Sequence, residues 1–272
     1  MTLESATDWS DCLVCPICAG ELALEGTRVL RCENSHEYDA ARQGYFNLLT
    51  GRGTKFREDT AEMIAARLRF LGAGHYAPIA EAVAAAVPRS AALIVDAGAG
   101  PGYYLRRVLE AVPARAIALD ISRAAVKHAA KIPDSLSLVT DVWSVLPIAA
   151  RTVDVVLNVF APHNAEEFYR ILTRGGRVIV VTPLPEHLQE LRQSGSGLLD
   201  IQADKQEKLH ETFSEGFSLA SENHVHFALS LEPQAVTDLI AMGPAGHHEP
   251  RPAEREALTV SCGVVVSVFE KN

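Results

Sequence analysis

From Ala92 onward, short β-branched apolar runs alternate with segments whose apolar residues recur at helical spacing. This alternation predicts a doubly wound parallel sheet with helices on its faces. The predicted strands are Leu93–Ala97, Ala116–Asp120, Leu136–Thr140, Val153–Phe160, Arg177–Thr182, His224–Leu231 and Leu258–Phe269. The predicted helices are Tyr103–Val112, Arg123–Lys131, Ala165–Leu172, Glu186–Glu211 and Pro233–Met242. We therefore expect an α/β, Rossmann-like fold with a seven-stranded, mostly parallel sheet.

The residues before this domain follow two other patterns. Residues 11–50 are rich in Cys, Gly and polar side chains and have no long apolar period, whereas Thr60–Pro88 predicts two amphipathic helices separated by Gly72-Ala-Gly74. A Gly-punctuated basic segment, Gly51–Arg57, lies between them. We expect a small domain over residues 1–50, a linker with helices over 51–90 and the α/β domain over 91–272.

Composition and charge restrict the class of protein. The 272 residues are 48% hydrophobic and carry a formal net charge of −9, which is typical of a folded globular chain. No apolar run approaches the roughly 18 residues of a membrane span, and the polar, acidic segment Met1–Asp11 is unlike a secretory signal, so we expect a cytoplasmic protein. The acidic excess excludes a protein that binds nucleic acid by bulk electrostatics.

Four residues near the start have the spacing of a metal site. Cys15-Pro-Ile-Cys18 is followed by 13 residues and then by Cys32 and His36. Three thiolates and one imidazole suit tetrahedral zinc, and a closed four-ligand site is structural rather than catalytic. The alternative is a set of unrelated buried thiols. Because so small a module has little core of its own, we expect the metal to contribute most of its folding free energy. The cysteines left over are Cys12 and Cys262.

A glycine-rich turn follows the first strand of the α/β domain. Asp96 lies two residues before the first of three glycines, Gly98, Gly100 and Gly102, after which Tyr103 and Tyr104 open a helix. The spacing is neither the dinucleotide fingerprint nor a phosphate-clamping P-loop. A carboxylate beside the glycines suits a cationic aminoacyl tail better than a pyrophosphate. An ordinary turn is the alternative interpretation.

Two further carboxylates end the next two strands. Asp120 ends the second strand, where a carboxylate binds ribose hydroxyls. Asp141 ends the third, with Val142 and Trp143 placed for an adenine amine and its face, although Asp141 could alternatively be a helix N-cap. A cationic tail, a ribose and an adenine together indicate S-adenosylmethionine.

The fourth strand ends in Asn158-Val-Phe-Ala-Pro162-His163. The carboxyl edge of an open α/β sheet faces its ligand. This sequence loosely resembles the Asn-Pro-Pro-Tyr-like loops of base methyltransferases, in which an amide and a ring hold a planar, amine-bearing target.

Motifs spread over nearly the whole chain match one family. They are Cys15-Pro-x-Cys18, Arg31-Cys-Glu-Asn-x-His36, Ala41–Leu49, Gly74–Pro78, the glycine loop, Asn158–Pro162, Gly175-Gly176 and Met242-Gly-Pro244. With them the chain resembles the RlmA-type guanine-N1 methyltransferases of 23S ribosomal RNA, nearest the branch that includes the tylosin-resistance enzyme.

The resemblance implies a zinc ribbon followed by a class I methyltransferase domain, assembled as a homodimer. It implies methyl transfer from S-adenosylmethionine to guanine N1 in a domain II hairpin of 23S rRNA near the macrolide-binding tunnel, with either a housekeeping or a resistance role. It places zinc on Cys15, Cys18, Cys32 and His36, and the cofactor on Asp96 to Gly102 with Asp120 and Asp141. Tyr104 and Val142 are further candidate cofactor contacts.

The reaction needs a base that is splayed out of its stack and loses the N1 proton. We expect Asn158 to bind the guanine edge, Phe160 and Tyr104 to stack on the ring, and His163 to act as a base or a phosphate contact. A core Phe160 and a merely solvated His163 are the alternatives.

Candidate phosphate contacts, which could equally form an ordinary solvated face, are Arg28, Arg31, Arg42, Arg52, Lys55 and Arg57. Two other functions stay open at this point. One is a small-molecule methyltransferase of the quinone type, and the other is a non-enzymatic zinc and RNA-binding module.

Overall fold

A computed structural model describes residues 8–51, 54–194, 201–202, 204–243, 246 and 256–272. The strands are β1 (Leu22–Glu25), β2 (Val29–Cys32), β3 (Glu37–Asp39), β4 (Phe46–Asn47), β5 (Leu93–Ala97), β6 (Arg115–Asp120), β7 (Ser135–Val139), β8 (Val153–Val159), β9 (Leu172–Pro183), β10 (Phe217–Leu231) and β11 (Leu258–Lys271). The helices are α1 (Ala61–Gly72), α2 (Ala77–Ala86), α3 (Tyr103–Ala111), α4 (Arg123–Ala129), α5 (Ala165–Ile171), α6 (Gln189–Gln193), α7 (Lys205–Thr212) and α8 (Pro233–Ala241). None of the helices in these ranges is long and apolar enough to cross a membrane.

The strands of the described ranges form two sheets. A small antiparallel sheet has the order β1-β2-β3, and a large sheet has the order β10-β11-β9-β8-β5-β6-β7-β4. Strands β5 to β9 run parallel, whereas β11 is antiparallel to β9 and β10 to β11. The predicted α/β class is confirmed, and the α/β domain supplies the predicted seven strands.

The eighth strand was not predicted. The two-residue strand β4 leaves the small domain and pairs in parallel with β7, and the amide of Leu48 extends this pairing by donating to the carbonyl of Val139 at 2.9 Å. Two residues are too few to show a period in the sequence. The position of β4 is fixed by its pairing with β7. The large sheet therefore includes residues from the small domain.

Three predicted elements differ from the structure, the first being β9, which starts at Leu172, five residues before the predicted Arg177. The predicted helix Glu186–Glu211 is wrong as one continuous helix: α6 ends at Gln193, directly before a sequence with two glycines, Ser194-Gly-Ser-Gly197, which disfavours helix. Strand β10 starts at Phe217, seven residues before the predicted His224, because it pairs with β11 along its length although most of its side chains are exposed. Tertiary pairing here overrides the local pattern.

The small domain and the large sheet share one apolar cluster. Trp9, Leu13, Leu30 and Phe46 are buried together with residues of β5, β6, β8 and β9. Backbone hydrogen bonds also join the two parts, since Val14 N donates to the carbonyl of Pro147 at 3.1 Å. Burial of this apolar surface also stabilises the small domain. We had expected the metal to supply most of its folding free energy, and that expectation did not include this contribution.

We predict that Leu30→Ala lowers the free energy of unfolding of the whole chain by about 2–4 kcal/mol, because it leaves a cavity in the shared cluster. In a Trp143→Phe background, fluorescence of the buried Trp9 reports on the small domain, and far-UV circular dichroism reports mainly on the α/β domain. Both signals should change in one denaturant transition. Val145→Ala, at a side chain 73% exposed, is the control and should change stability by less than about 0.5 kcal/mol. Two separate transitions would contradict the shared core.

Candidate metal centre and active site

The four predicted metal ligands lie together. One ligand atom each from Cys15, Cys18, Cys32 and His36 lies within 4.8 Å of the others. The two sulfurs of Cys18 and Cys32 are 3.7 Å apart, and His36 Nδ1 is 3.4 Å from Cys32 Sγ and 3.6 Å from Cys15 Sγ. A tetrahedral zinc ion with bonds of about 2.3 Å to sulfur separates two sulfurs by about 3.8 Å. The donor set and its spacing fit zinc, whereas unrelated buried thiols would not converge in this way.

Each cysteine turn of this centre contains a residue with left-handed backbone. Ala19, at φ 58°, donates its amide to the carbonyl of Cys15 at 2.8 Å. Ser35, at φ 61°, donates to the carbonyl of Cys32 at 2.9 Å. These two tight turns lie within the segments that supply the two ligand pairs of the cluster.

Two side chains that were not predicted as site residues contact the thiols. Asn34 Nδ2 donates to Cys18 Sγ at 3.3 Å, and the hydroxyl of Tyr38 lies 3.6 Å from Cys15 Sγ. Burial opposes ionisation of Cys15, but the Tyr38 hydroxyl and the backbone amides of Ile17 and Cys18 lower the pKa of its thiol to about 7. The thiolate is the form that binds metal.

The two remaining cysteines belong to the apolar core. Cys12 is fully buried and its thiol donates to the carbonyl of Trp9 at 3.4 Å. Burial raises the pKa of both the Cys12 and the Cys262 thiol to about 12. Both thiols are therefore protonated, and neither belongs to the metal cluster.

The glycine loop closely approaches its neighbours. A Cβ atom on Gly98, at φ 85°, would lie 2.5 Å from the Cβ of Ala161 in the loop after β8. A Cβ atom on Gly102, at φ 80°, would lie 2.4 Å from Cδ1 of Ile132. Only glycine satisfies both the left-handed backbone and the close contact. The alternative of an ordinary turn does not require such contacts.

Asp96 is a buried carboxyl at the start of this loop. It is 2% exposed, and its Oδ2 atom has no hydrogen-bond partner among the described residues. Burial, with a further contribution from the charge of Asp120, raises the pKa of Asp96 to about 8. Such a group favours a cationic partner, which would restore its charged form. This unpaired oxygen is the feature of the loop that fits the aminoacyl end of S-adenosylmethionine.

Asp120 and Asp141 hold the backbone at the ends of β6 and β7. Asp120 accepts hydrogen bonds from the amides of Gly100 and Ser122, both at 2.8 Å. Asp141 accepts from the amide of Trp143 at 3.0 Å and from the hydroxyl of Thr54 at 2.7 Å. Asp141 therefore caps a short turn and not a helix, so the helix N-cap alternative is wrong in that form, and its side chain also faces a cavity.

Three cavities follow one another along the carboxyl edge of the parallel strands. The Trp143 cavity, of about 260 Å³, is lined by Asp120, Asp141, Val142 and Trp143. The glycine-loop cavity, of about 290 Å³, is lined by Gly98, Gly100, Tyr104 and Arg67, and it shares Gly98 with the first. The Lys205 cavity, of about 600 Å³, shares Phe160, His187 and Leu188 with the second. An elongated ligand in the first two cavities would thus end beside Phe160.

The side chain of Asn158 has different hydrogen-bond partners from the guanine edge that we expected. Its side chain is fully buried, and its Nδ2 donates to the carbonyls of Ala97 at 3.0 Å and Pro162 at 2.8 Å. Its Oδ1 is hydrogen bonded to His163 Nδ1. In this conformation Asn158 has no free N–H for a guanine edge, and it instead holds the loop after β8.

Phe160 lies at the tip of that loop. It has a left-handed backbone, at φ 52°, and is 41% exposed, so the alternative of a core phenylalanine is wrong. The rings of Tyr76, Tyr104 and His187 lie 6.1–6.4 Å from its ring. The structure brings together the predicted pair Phe160 and Tyr104. Tyr76 and His187, far apart in sequence, were not predicted because only the tertiary fold brings them to this cluster.

His163 lines the Lys205 cavity. Burial, helped by the charge of Lys205, lowers the pKa of His163 to about 4, so its imidazole is neutral at pH 7. Because both amide hydrogens of Asn158 donate to carbonyls, its oxygen must accept from His163. The proton of His163 is therefore on Nδ1, which leaves Nε2 as a hydrogen-bond acceptor.

Two of the three predicted phosphate contacts in the small domain, Arg28 and Arg31, bond to groups of the protein itself. Arg31 forms ion pairs with Glu25 at 3.1 Å and Glu37 at 2.8 Å, and Arg28 donates to the carbonyl of Ala40 at 3.2 Å. These contacts favour the solvated-face interpretation for both arginines. Arg52 lies outside the described residues.

Comparisons with known proteins agree with this arrangement. Residues 13–51 match the family profile described as "RlmA, N-terminal", and residues 94–178 match one described as a methyltransferase domain. A 23S rRNA (guanine(748)-N(1))-methyltransferase of Streptomyces fradiae is 42% identical over 244 residues, which cover 87% of this chain and 86% of the relative. A protein of Micromonospora griseorubida, assigned as a 23S rRNA (guanine-N(1)-)-methyltransferase, is 43% identical over 258 residues and 87% of each chain. The chain belongs to the 23S rRNA (guanine-N1)-methyltransferase family.

A solved structure shares the fold of this chain. A solved complex between the Trm112 methyltransferase activator and a methyltransferase, from Haloferax volcanii, superposes with a TM-score of 0.52 at 20% identity and covers 77% of this chain and 96% of that chain. Together with the Cys₃His cluster, the methyltransferase fold confirms both predicted cofactors, S-adenosylmethionine and a structural zinc ion. The two other functions left open by the sequence are not supported, because the relatives of 42–43% identity cover most of the chain.

We predict that Cys18→Ser abolishes stoichiometric zinc binding, because the variant lacks one of four thiolate or imidazole ligands. Metal content per chain is measured by inductively coupled plasma mass spectrometry on the purified protein. Cys12→Ala removes a buried thiol outside the cluster and should retain about one zinc per chain. Equal zinc contents in the two variants would exclude the proposed ligand set.

We also predict that binding of S-adenosylmethionine releases up to one proton per chain near pH 7, because a cationic ligand favours the ionised form of Asp96. Calorimetric titrations in two buffers of different ionisation enthalpy measure this release. Asp96→Asn should abolish it and weaken binding, whereas Asp204→Asn, at an exposed carboxylate, should change neither.

The same shift has a consequence for stability. The pKa of Asp96 is raised in the folded state above its unfolded value near 3.9, so the ligand-free protein should lose stability as the pH rises from about 4 to about 8. Thermal unfolding of Asp96→Asn over this range should lack that contribution. Identical pH profiles of the variant and the wild type would contradict the raised pKa.

Proposed function

We propose that the protein transfers the methyl group of S-adenosylmethionine to N1 of a guanosine in 23S rRNA. The observation that carries this proposal is the junction at Phe160 between the glycine-loop cavity and the Lys205 cavity. The Lys205 cavity is lined by Arg192, Lys205 and Lys208 and by no described carboxylate, although the chain has a net charge of −9; Asp204, outside the lining, pairs with Lys208 at 2.8 Å. A cation-lined cavity beside the cofactor site suits a base attached to a phosphate backbone.

The proposed cofactor runs through the first two cavities. Asp96 and the glycine loop face its cationic aminoacyl tail, Asp120 its ribose, and Asp141 with Val142 its adenine. Tyr104 lies on the glycine-loop side, next to Phe160. Bound in this way, S-adenosylmethionine supplies an electrophilic methyl group on a sulfonium ion.

The proposed guanine site is the ring cluster at the junction. An enzyme that modifies a base inside a hairpin must take it out of the stack and hold it between aromatic faces. Phe160, Tyr104, Tyr76 and His187 provide such faces. The hydroxyl of Tyr76 is 3.3 Å from His187 Nε2, which fixes both rings. Asn158 acts as a positioning residue, because it holds the loop that presents Phe160.

The chemistry requires one bond change and one proton transfer. A bond forms between guanine N1 and the methyl carbon as the bond from that carbon to sulfur breaks, and the N1 proton must leave. Nε2 of His163 is the candidate acceptor, since Nδ1 already carries a proton, and the negative charge left on the guanine would raise the low pKa of this imidazole as the proton moves. Lys205 carries a positive charge close enough to lower the pKa of His163, so it can also stabilise negative charge that develops on O6 of guanine.

Finer features of the proposal follow from the family. The relative from Streptomyces fradiae is named for guanosine 748, which supports a domain II hairpin as the target. We retain as predictions the homodimer, the division at residues 50 and 90, and a role in macrolide resistance. A ribosomal RNA substrate would place the activity in the cytoplasm.

The proposal is tested by incubating the protein and S-adenosylmethionine with unmethylated 23S rRNA. A methyl group on N1 blocks Watson–Crick pairing, so primer extension should stop at one guanosine. Phe160→Ala should lower kcat at least tenfold with little change in cofactor affinity, because the lost ring stacks on the base. Tyr169→Ala, at an equally exposed ring on α5, is the control.

Two outcomes would contradict these assignments. The absence of any stop on 23S rRNA would exclude the proposed activity. An unchanged rate for His163→Ala at saturating RNA would remove His163 from the chemistry, while a loss in kcat with an unchanged KM for RNA would retain it as the proton acceptor.

A further inference from the structure

The segment that joins the zinc ribbon to α1 lies against the cofactor edge of the sheet. The Thr54 hydroxyl donates a hydrogen bond of 2.7 Å to Oδ2 of Asp141. Asp141 is the carboxylate proposed to face adenine. Further along, Glu58 Oε2 accepts from the amide of Arg123 at 3.1 Å. Residues 54–59 therefore cross the ends of β6 and β7 and are fixed there by hydrogen bonds.

The far end of this segment reaches the glycine loop. Asp59 forms an ion pair with Arg67 at 2.8 Å, and Arg67 donates to the carbonyl of Met242 at 2.6 Å. The same guanidinium would lie 3.3 Å from a Cβ atom on Gly100. The segment thus runs from the Trp143 cavity to the glycine-loop cavity.

Phe56 lies in the middle of the segment and faces Trp143. Both rings line the Trp143 cavity with Asp141 and Val142. Their centroids are 6.5 Å apart and their planes differ by 30°. Carbon atoms in contact are about 3.5–4 Å apart, so two rings that hold a third ring between them are separated by about 7–8 Å. A small opening of this pair would admit a planar heterocycle.

We propose that residues 54–59 form one wall of the cofactor site, with the adenine held between Phe56 and Trp143, so that cofactor binding fixes the linker against the methyltransferase domain. This inference rests on the proposed function and extends it. It adds linker residues to a cofactor site that otherwise consists of the glycine loop and the strand-end carboxylates.

The linker position has a consequence for RNA. Lys55 and Arg57, two of the predicted phosphate contacts, flank Phe56, and Lys55 Nζ lies 5.3 Å from the Phe56 ring centroid. A ligand that fixes Phe56 also restricts these two cations. Binding of cofactor and binding of RNA are then coupled through the linker, and such coupling is reciprocal.

The first test measures affinity by calorimetry with S-adenosylhomocysteine and with 5′-methylthioadenosine, which lacks the aminoacyl tail. Phe56→Ala should weaken both by about tenfold, because one aromatic face of the adenine is lost. Phe56→Tyr should retain wild-type affinity. Leu219→Ala is the control, since Leu219 on β10 is 46% exposed and Phe56 is 40% exposed.

The second test uses trypsin, because Lys55 and Arg57 are cleavage sites within the linker. Saturating S-adenosylhomocysteine should slow cleavage after both residues at least fivefold in the wild type, as followed by mass spectrometry of the N-terminal fragments. Phe56→Ala and Trp143→Ala should lose this protection even at ligand concentrations that saturate them.

The outcomes separate this inference from the proposed function. If the wild type binds neither ligand, the proposed cofactor site is wrong and the linker proposal fails with it. If the wild type binds both but Phe56→Ala binds equally well, or if the ligand leaves linker cleavage unchanged, only the linker proposal is overturned. An effect of Phe56→Ala on S-adenosylhomocysteine without one on 5′-methylthioadenosine would also overturn it.

Discussion

The parallel pairing of β5, β6, β7 and β8 is the constraint on which the site depends. Parallel strands end at the same edge of a sheet, so the residues that follow them meet there although they are far apart in sequence. Asp96, Asp120 and Asp141 lie at or just beyond three of these ends, and Phe160 lies just beyond the fourth. The close contact of Gly98 with Ala161 then sets how near the glycine loop comes to the loop after β8. A larger side chain at position 98 would separate the proposed cofactor and base sites.

The zinc ribbon packs against the methyltransferase domain and shares its core and its sheet. Its apolar residues join the core of the large sheet, β4 extends that sheet, and the linker that follows β4 crosses the cofactor edge. Metal binding, packing and cofactor binding therefore act on one continuous stretch of chain. A disturbance of the ribbon is expected to affect the methyltransferase site through this stretch as well as through any contact with RNA.

The net charge of −9 and an RNA substrate are compatible because the relevant cations are local. Lys205 and Lys208 come from one short helix and Arg192 from another, and they line a cavity without a described carboxylate. Charges near a cavity act on a bound phosphate over a few ångströms, whereas the acidic surface is screened over about 8–10 Å at ordinary salt. Average charge describes how such a protein encounters RNA, not how it binds one nucleotide.

Local patterns in the sequence determined the α/β class, the zinc ligand set, the glycine loop and the strand-end carboxylates, because each depends on residues close together in the chain. The tertiary structure alone decided which side chains are free to act. It engages the amide of Asn158 in holding a loop, gives His163 a defined tautomer, and brings Tyr76, His187, Lys205 and Phe56 to the site. Burial, hydrogen-bond occupancy and proximity across the chain are properties of packed elements, and no spacing of residues along a sequence encodes them.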